Sequence, residues 1–344
     1  MKTHSALYFI FILTIFCCLT LQAQIQRCAT PNPSYTVPEN PSFRTQAATI
    51  DSIPVVFHVI YDNSGNGNVP ESQLRAQVDT LNATHARDGS QFSFYLAAIT
   101  RTQKMEWWNL NFYSRPDPPY YEQPSQTEIE MTDTLAIDPK HAFNVYVTKL
   151  ANDVLGWVIY FPWVVSEDSR QNGVIIDYGS LPGGYIPYYN YGYTLVHEGG
   201  HYLGLYHTFQ NGCSSPGDEV DDTPYQYNGI NVYECNESLN TCPSDPGNDP
   251  VHNYMNYTDD PCYSEFTSGQ NGRSSSMVGQ YKPSLGGTTL YFSSTYTVLA
   301  GRSLNFQPGI TLAFQNGVSL IVNGTLNANG TSSSRITFTS ASGT

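Results

Sequence analysis

Positive charge is scarce in this sequence: 344 residues carry 15 Lys and Arg against 29 Asp and Glu, for a formal net charge of -14. Nucleic acids and anionic membrane surfaces both reward clustered Lys and Arg, so neither is an expected partner. Long apolar runs are equally rare. The only sustained one, residues 6–13 resuming over 15–21, falls short of the roughly 20 residues that a bilayer requires, and no span is expected in the mature chain. Charged residues of either sign make up 13%, yet 40% of the chain is hydrophobic and 26 residues are Tyr. That composition excludes a disordered chain and implies a loop-rich, aromatic core.

What the apolar start does contain is Lys2 and His4 ahead of the run and Leu21-Gln22-Ala23 behind it, with a small residue suited to cleavage. This reads as a secretory signal peptide over 1–23, placing the mature chain outside the cell, where disulfides persist. Cys17 and Cys18 leave with it, and Cys28, Cys213, Cys235, Cys242 and Cys262 remain. Five is odd, and one thiol is left over. Residues 24–50 hold Pro31, Pro33, Pro38 and Pro41 without apolar periodicity, and read as an extended leader or propeptide.

Regular structure begins with a β-branched and aromatic strand over 53–61, closed by a Gly- and Asn-rich turn. Leu74, Val78 and Leu81 then recur at helical spacing up to about Ala86. Further strands are expected at 92–99, 144–150, 154–160 and 173–178, before a helix that carries histidines. The fold class is therefore α+β, a mixed sheet backed by helices. From 211 to 260 the chain is dominated by Gly, Pro, Asp, Asn and Cys, too long for an unsupported loop, so disulfides or bound ions must brace it. After about Gly286 basic residues nearly vanish and glycines at 301, 309, 317, 324 and 330 punctuate short alternating strands, the pattern of a second, all-β segment over 286–344.

The chemistry concentrates in one stretch, His197-Glu198-Gly199-Gly200-His201-Tyr202-Leu203-Gly204-Leu205-Tyr206-His207. Two histidines four apart share one face of a helix and can grip one zinc ion. Gly204 takes a positive φ without steric cost, so the chain can leave the helix there and return His207 as third ligand. Three neutral imidazoles leave a position for water, which Glu198 can deprotonate before passing the proton to a leaving amine. A bare pair of histidines around a glutamate could be two polar residues on a helix; Gly204 and His207 argue against that.

With these residues the sequence resembles the metzincin peptidases, whose zinc motif is followed by a methionine-containing turn, here His252-Asn253-Tyr254-Met255-Asn256-Tyr257. More narrowly, 194–209, Asp222-Thr223-Pro224, 253–257 and Phe266-Thr267 with Gln270 and Arg273 are similar to the pappalysin family, particularly its bacterial ulilysin-like members, over residues 28–282. The resemblance implies a metzincin-like zincin over 51–283, with a twisted mixed sheet, backing and active-site helices and a loop-rich C-terminal subdomain. It implies catalytic zinc on His197, His201 and His207, Glu198 as general base, Met255 as the floor beneath the ligands, and Tyr257 assisting at the oxyanion. It also implies structural calcium after the third histidine, where Asp218, Asp221, Asp222 and Thr223 supply hard oxygen ligands.

The four downstream cysteines can pair in three ways; the family pattern implies Cys213–Cys242 and Cys235–Cys262. The surplus Cys28 lies in Arg27-Cys28-Ala29-Thr30, similar to the Arg-Cys-Gly-Thr element of related zymogens whose thiolate fills the open zinc position. A cysteine switch follows as an expectation. Two departures stand out: consecutive Gly199 and Gly200 in the active-site helix, and Ala29 beside Cys28. Related enzymes cut before basic residues by means of an acidic pocket near the last cysteine, where Asp259 or Asp260 could serve. The sequon Asn256-Tyr257-Thr258 falls in the catalytic turn and reads as coincidence.

Residues 298–339 resemble the opening coils of right-handed parallel β-helices of large secreted surface proteins, which stack three or more coils and end in a cap; a chain truncated at Thr344 is expected. The function expected is a secreted zinc endopeptidase made as a zymogen and acting on proteins or peptides. The alternative is a cell-surface adhesin or glycan-binding protein with a vestigial metal site, against which the intact Glu198 and three histidines count.

Overall fold

A computed structural model describes residues 25–31, 52–115 and 123–341. The signal-peptide reading and most of the leader lie outside the described residues. Strand β1 (Ile53–Tyr61) is buried on both faces, which is why its sequence is almost continuously apolar. Val55, Phe57 and Val59 enter one core with Leu74, Val78 and Leu81 of α1 (Glu71–Arg87). Ile60 enters a second core on the opposite face, with Met131 and Leu135.

Next come β2 (Phe94–Gln103), α2 (Gln126–Leu135), β3 (Phe143–Thr148), β4 (Gly156–Val158) and β5 (Val174–Asp177). β2 and β3 flank β1 in parallel, β5 follows β3 in parallel, and β4 closes that edge antiparallel to β5. Helix α3 (Tyr193–Tyr202) packs Leu195, Val196 and Tyr202 into the first core, beneath the β4 edge. After a long connection over residues 203–267 comes α4 (Ser268–Tyr281). That loop is held by the disulfides Cys213–Cys242 and Cys235–Cys262, the pairs that the family pattern implies. The protein is thus a mixed α+β fold, with helices on both faces of a central sheet.

Seven short strands follow: β6 (Thr289–Phe292), β7 (Tyr296–Val298), β8 (Ser303–Phe306), β9 (Thr311–Phe314), β10 (Leu320–Val322), β11 (Thr325–Ala328) and β12 (Thr337–Ser340). They stack in parallel as β6-β9-β12, β7-β10 and β8-β11. β8 also pairs antiparallel with β2, so the central sheet runs β11-β8-β2-β1-β3-β5-β4. Leu290, Phe292, Leu304, Phe306 and Leu312 share a core with Val56, Ala97, Ala98, Ile137 and Ala142. This covers an edge that an open sheet would otherwise expose to aggregation. Among the described residues, no helix is long and apolar enough to cross a membrane.

Candidate active site

Helix α3 starts after Gly192, whose φ of 88° is open to glycine and whose carbonyl accepts from Gln77 Nε2 at 2.9 Å. It stops at Gly204, with φ 97°, where Gly204 N–H donates to His201 O (3.0 Å) and Leu205 N–H to Gly200 O (2.9 Å). That paired closure turns the chain back sharply. The turn brings His207 to the two helical histidines, with His201 Nε2 and His207 Nε2 only 3.0 Å apart. Ring centroids lie 4.8 Å (197–201), 5.2 Å (197–207) and 4.4 Å (201–207) from one another.

Two backbone carbonyls set the tautomers. His197 Nδ1–H donates to Tyr254 O at 2.7 Å and His201 Nδ1–H to Leu205 O at 2.8 Å, which leaves Nε2 of each as a lone pair aimed at the common centre. His197 Nε2 is buried without a hydrogen-bond partner. Burial lowers the pKa of all three histidines, His201 to about 4 and the others well below the usual 6.5, so each is neutral. Three imidazoles whose ring nitrogens converge on one buried centre fit a cation. The ligand atoms of Cys28, His197, His201 and His207 all lie within 4.8 Å of one another, a nitrogen and sulfur set suited to tetrahedral zinc.

Glu198 is fully buried beside this cluster, and burial raises its pKa to about 8 despite hydrogen bonds that favour the charged form. Its Oε2 accepts from Thr30 Oγ1 (3.1 Å) and from the Cys28 thiol (3.5 Å), while Oε1 has no partner. Burial, then the nearby Glu198, push the Cys28 thiol up. Tyr257 donates its hydroxyl to Cys28 O at 3.2 Å, and its ring lies 4.9 Å from that of His207. Burial holds this phenol well above its ordinary pKa of 10, so it stays a donor. Met255 is completely buried. A Cβ placed on Gly200 would lie 2.4 Å from its sulfur, which accounts for glycine in the middle of a ligand-bearing helix.

Residues 25–31 lie in the cleft along the β4 edge. Gln26 N–H donates to Asp153 O (3.0 Å), Leu155 N–H to Gln26 O (3.0 Å), Ala29 N–H to Gly156 O (2.9 Å) and Val158 N–H to Thr30 Oγ1 (3.0 Å). The pairing is parallel. Arg27 is completely buried, in an ion pair with Asp260, with its guanidinium 4.8 Å from the Tyr189 ring and 4.5 Å from the Tyr263 ring. Asp260 is held in turn: Oδ2 accepts from Tyr191 N (2.8 Å) and its own N–H donates to Tyr188 O (2.8 Å). Sequence reasoning named Asp260 only beside Asp259, and it missed Tyr189, Tyr263 and the roles of Arg27 and Thr30. The Arg27–Asp260 contact spans 233 positions and leaves no local signature.

The residues expected to hold calcium all sit in the loop that follows His207. Asp218 is buried, with Oδ1 accepting from Val220 N (3.1 Å), Oδ2 without a partner, and a pKa pushed by burial to about 7. Asp221 is exposed. Asp222 accepts from Thr267 Oγ1 (2.6 Å) and Gly269 N (2.8 Å) at the start of α4. Thr223 Oγ1 donates to Val220 O at 3.2 Å.

Residues 130–279 match a family model described as Peptidase_M43, pregnancy-associated plasma protein-A. An extracellular metalloprotease of Neurospora crassa is 38% identical over 243 residues, 69% of this chain and 78% of that protein. One of Sordaria macrospora is 36% identical, covering 67% of this chain and 76% of its own. Among solved structures, a Tannerella forsythia promirolysin mutant superposes with a TM-score of 0.55 at 26% identity, over 71% of this chain and 86% of that one. Mature mirolysin in complex with a cleaved peptide gives a TM-score of 0.53 at 27% identity, over 68% and 94%.

Proposed function

The chain belongs to the Peptidase_M43 family and is a secreted zinc metalloendopeptidase, and on that premise we propose that His197, His201 and His207 hold the metal while Glu198 and Tyr257 carry out the chemistry. The observation that carries this reading is the convergence of three buried, neutral imidazoles beside one buried glutamate. When bound, zinc supplies Lewis acidity toward the peptide carbonyl and lowers the pKa of water to about 7. Glu198 takes a proton from the attacking water and returns it to the departing amine; a carboxylate whose pKa is raised toward neutrality suits both halves of that task. The Tyr257 hydroxyl, kept protonated, donates to the oxyanion that develops on the carbonyl oxygen. Met255 packs beneath the ligand helix and fixes its height.

The pocket that holds Arg27 supports a preference for a basic side chain next to the scissile bond. Asp260 neutralises the charge, and Tyr189 and Tyr263 stack on the planar guanidinium, which favours Arg over Lys. We also propose that Cys28 keeps the full chain latent by presenting its sulfur to the metal, while Thr30 occupies Glu198. Asp218, with its unpartnered buried oxygen, supports a cation in the loop after His207, calcium by its chemistry. The parallel stacking of β6, β9 and β12 supports reading the last segment as coils of a β-helix.

The test is hydrolysis of a denatured protein by enzyme freed of its leader, by its Glu198→Ala variant and by chelator-treated enzyme. Loss of activity in the last two is expected, and equal rates in all three would end the reading. Asp260→Ala should raise KM for substrates with Arg after the scissile bond far more than for other substrates. Cys28→Ala should raise the activity of the full chain above that of the unsubstituted full chain, and an equally inactive variant would end the latency reading.

A further inference from the structure

The carbonyls that orient His197 and His201 belong to two separate turns, Tyr254 O on one and Leu205 O on the other. Both turns lie outside helices and strands and are held by only a few backbone hydrogen bonds, so side chains must supply part of the precision that a metal site requires. One helix reaches both. We propose that Gln270 and Arg273, three residues apart on one face of α4, are positioning residues that set the zinc ligands through these two carbonyls. The proposal rests on the ligand assignment made above.

The first arm runs through Asn253. A trans peptide is planar, so its N–H and C=O point in opposite directions and fixing one fixes the other. The Met255 N–H donates to Asn253 Oδ1 at 2.9 Å, and this aims the Tyr254 carbonyl of the same peptide at His197 Nδ1. Asn253 cannot rotate away, because its amide exchanges two hydrogen bonds with that of Gln270: Asn253 Nδ2 donates to Gln270 Oε1 (2.8 Å) and Gln270 Nε2 to Asn253 Oδ1 (3.0 Å). Both side chains are completely buried.

The second arm is Arg273. Its Nε–H donates to Gly204 O at 3.0 Å, its guanidinium lies 4.6 Å from the Tyr206 ring, and Nη1 donates to Glu219 at 2.7 Å. It therefore grips the turn 204–206 on both sides of Leu205, whose carbonyl accepts from His201 Nδ1–H, and the same turn delivers His207. Thr208 N–H donates to Met255 O at 3.2 Å and ties the two turns together. The N-terminus of α4 is fixed by the Thr267 and Gln270 capping box and by Asp222, which gives both arms a rigid base. An apolar residue would fill either volume equally well, but only the polar groups fix a peptide plane.

The experiment uses the full chain with Cys28→Ala as parent, and adds Arg273→Met, Gln270→Leu or Arg273→Lys. Zinc affinity is measured by competition with a chelator, and the visible absorption of the cobalt-substituted protein reports ligand geometry. Arg273→Met and Gln270→Leu should each weaken zinc binding by about 10–100-fold and shift the cobalt bands. Arg273→Lys keeps the Glu219 pair but not the Nε donor, so it should fold and give an intermediate affinity. Should Arg273→Met or Gln270→Leu fail to fold, Arg273→Lys alone decides. Zinc affinity within twofold of the parent together with unchanged cobalt bands, which a merely structural role would give, overturns the proposal. His207→Ala separates the two levels of inference: if it retains the cobalt spectrum, the ligand assignment fails, and if it alone loses it, only the α4 brace fails.

Discussion

Gly199 and Gly200 are neighbours in one helix, yet alanine should have unequal effects at the two positions. A Cβ at Gly199 would meet nothing closer than Leu81 and Phe143 at 3.9 Å, an ordinary contact. Gly199→Ala then removes a helix-interior glycine, worth about 0.5–1 kcal/mol, and buries a methyl, worth about 0.8 kcal/mol. A Cβ at Gly200 would lie 2.4 Å from Met255 Sδ and 3.2 Å from its Cε, where roughly 3.5–4 Å is needed. Met255 is completely buried, so it must repack at a cost of about 1–3 kcal/mol, which cancels or exceeds the same helical gain. Thermal unfolding at fixed zinc should therefore place Gly199→Ala above the parent and Gly200→Ala below Gly199→Ala, at about 2–4 °C per kcal/mol. Shortening Met255 in the Gly200→Ala background should recover part of the loss, a non-additivity that marks direct contact. If Gly200→Ala were as stable as Gly199→Ala, the packing argument would be wrong.

Acid should destabilise the fold through two buried histidines remote from the metal site. Burial lowers both His58 and His85 from 6.5 to about 4, so the folded state binds their protons less readily than the unfolded chain. Their contribution is complete above about pH 6.5 and is lost as pH falls to 4, by about 3 kcal/mol each; His58→Gln should flatten that limb in urea titrations between pH 4 and 7, and an unchanged slope would refute the assignment. Arg115 and Glu128 form a buried pair at 2.6 Å, and Glu128 also accepts from Trp157 Nε1 at 2.9 Å, next to the cleft edge. Arg115→Met should cost about 3–5 kcal/mol in chemical denaturation, most of it recovered by Arg115→Met with Glu128→Leu; a double variant as unstable as the single one would sink that account.

The zinc motif was legible in the sequence because its geometry is local. Residues 197 and 201 share a helix face by periodicity alone, and Gly204 must release the chain wherever a third ligand follows so soon. The strands over 53–61 and 144–150 were legible for a similar reason, since burial on both faces leaves an apolar run. Resemblance to a family extended this reach to Met255, Tyr257 and Cys28. Long-range contacts were beyond any such reading. Arg27 and Asp260 meet across 233 positions, Asp222 meets Thr267 and Gly269 at the start of α4, and Gly200 acquired its reason only when Met255 was seen against it. Likewise, no pattern in residues 303–306 announced that they would pair with β2. Periodicity and turn chemistry report what a residue requires of its neighbours in sequence; which distant group satisfies it is decided by packing, and only the folded chain shows that.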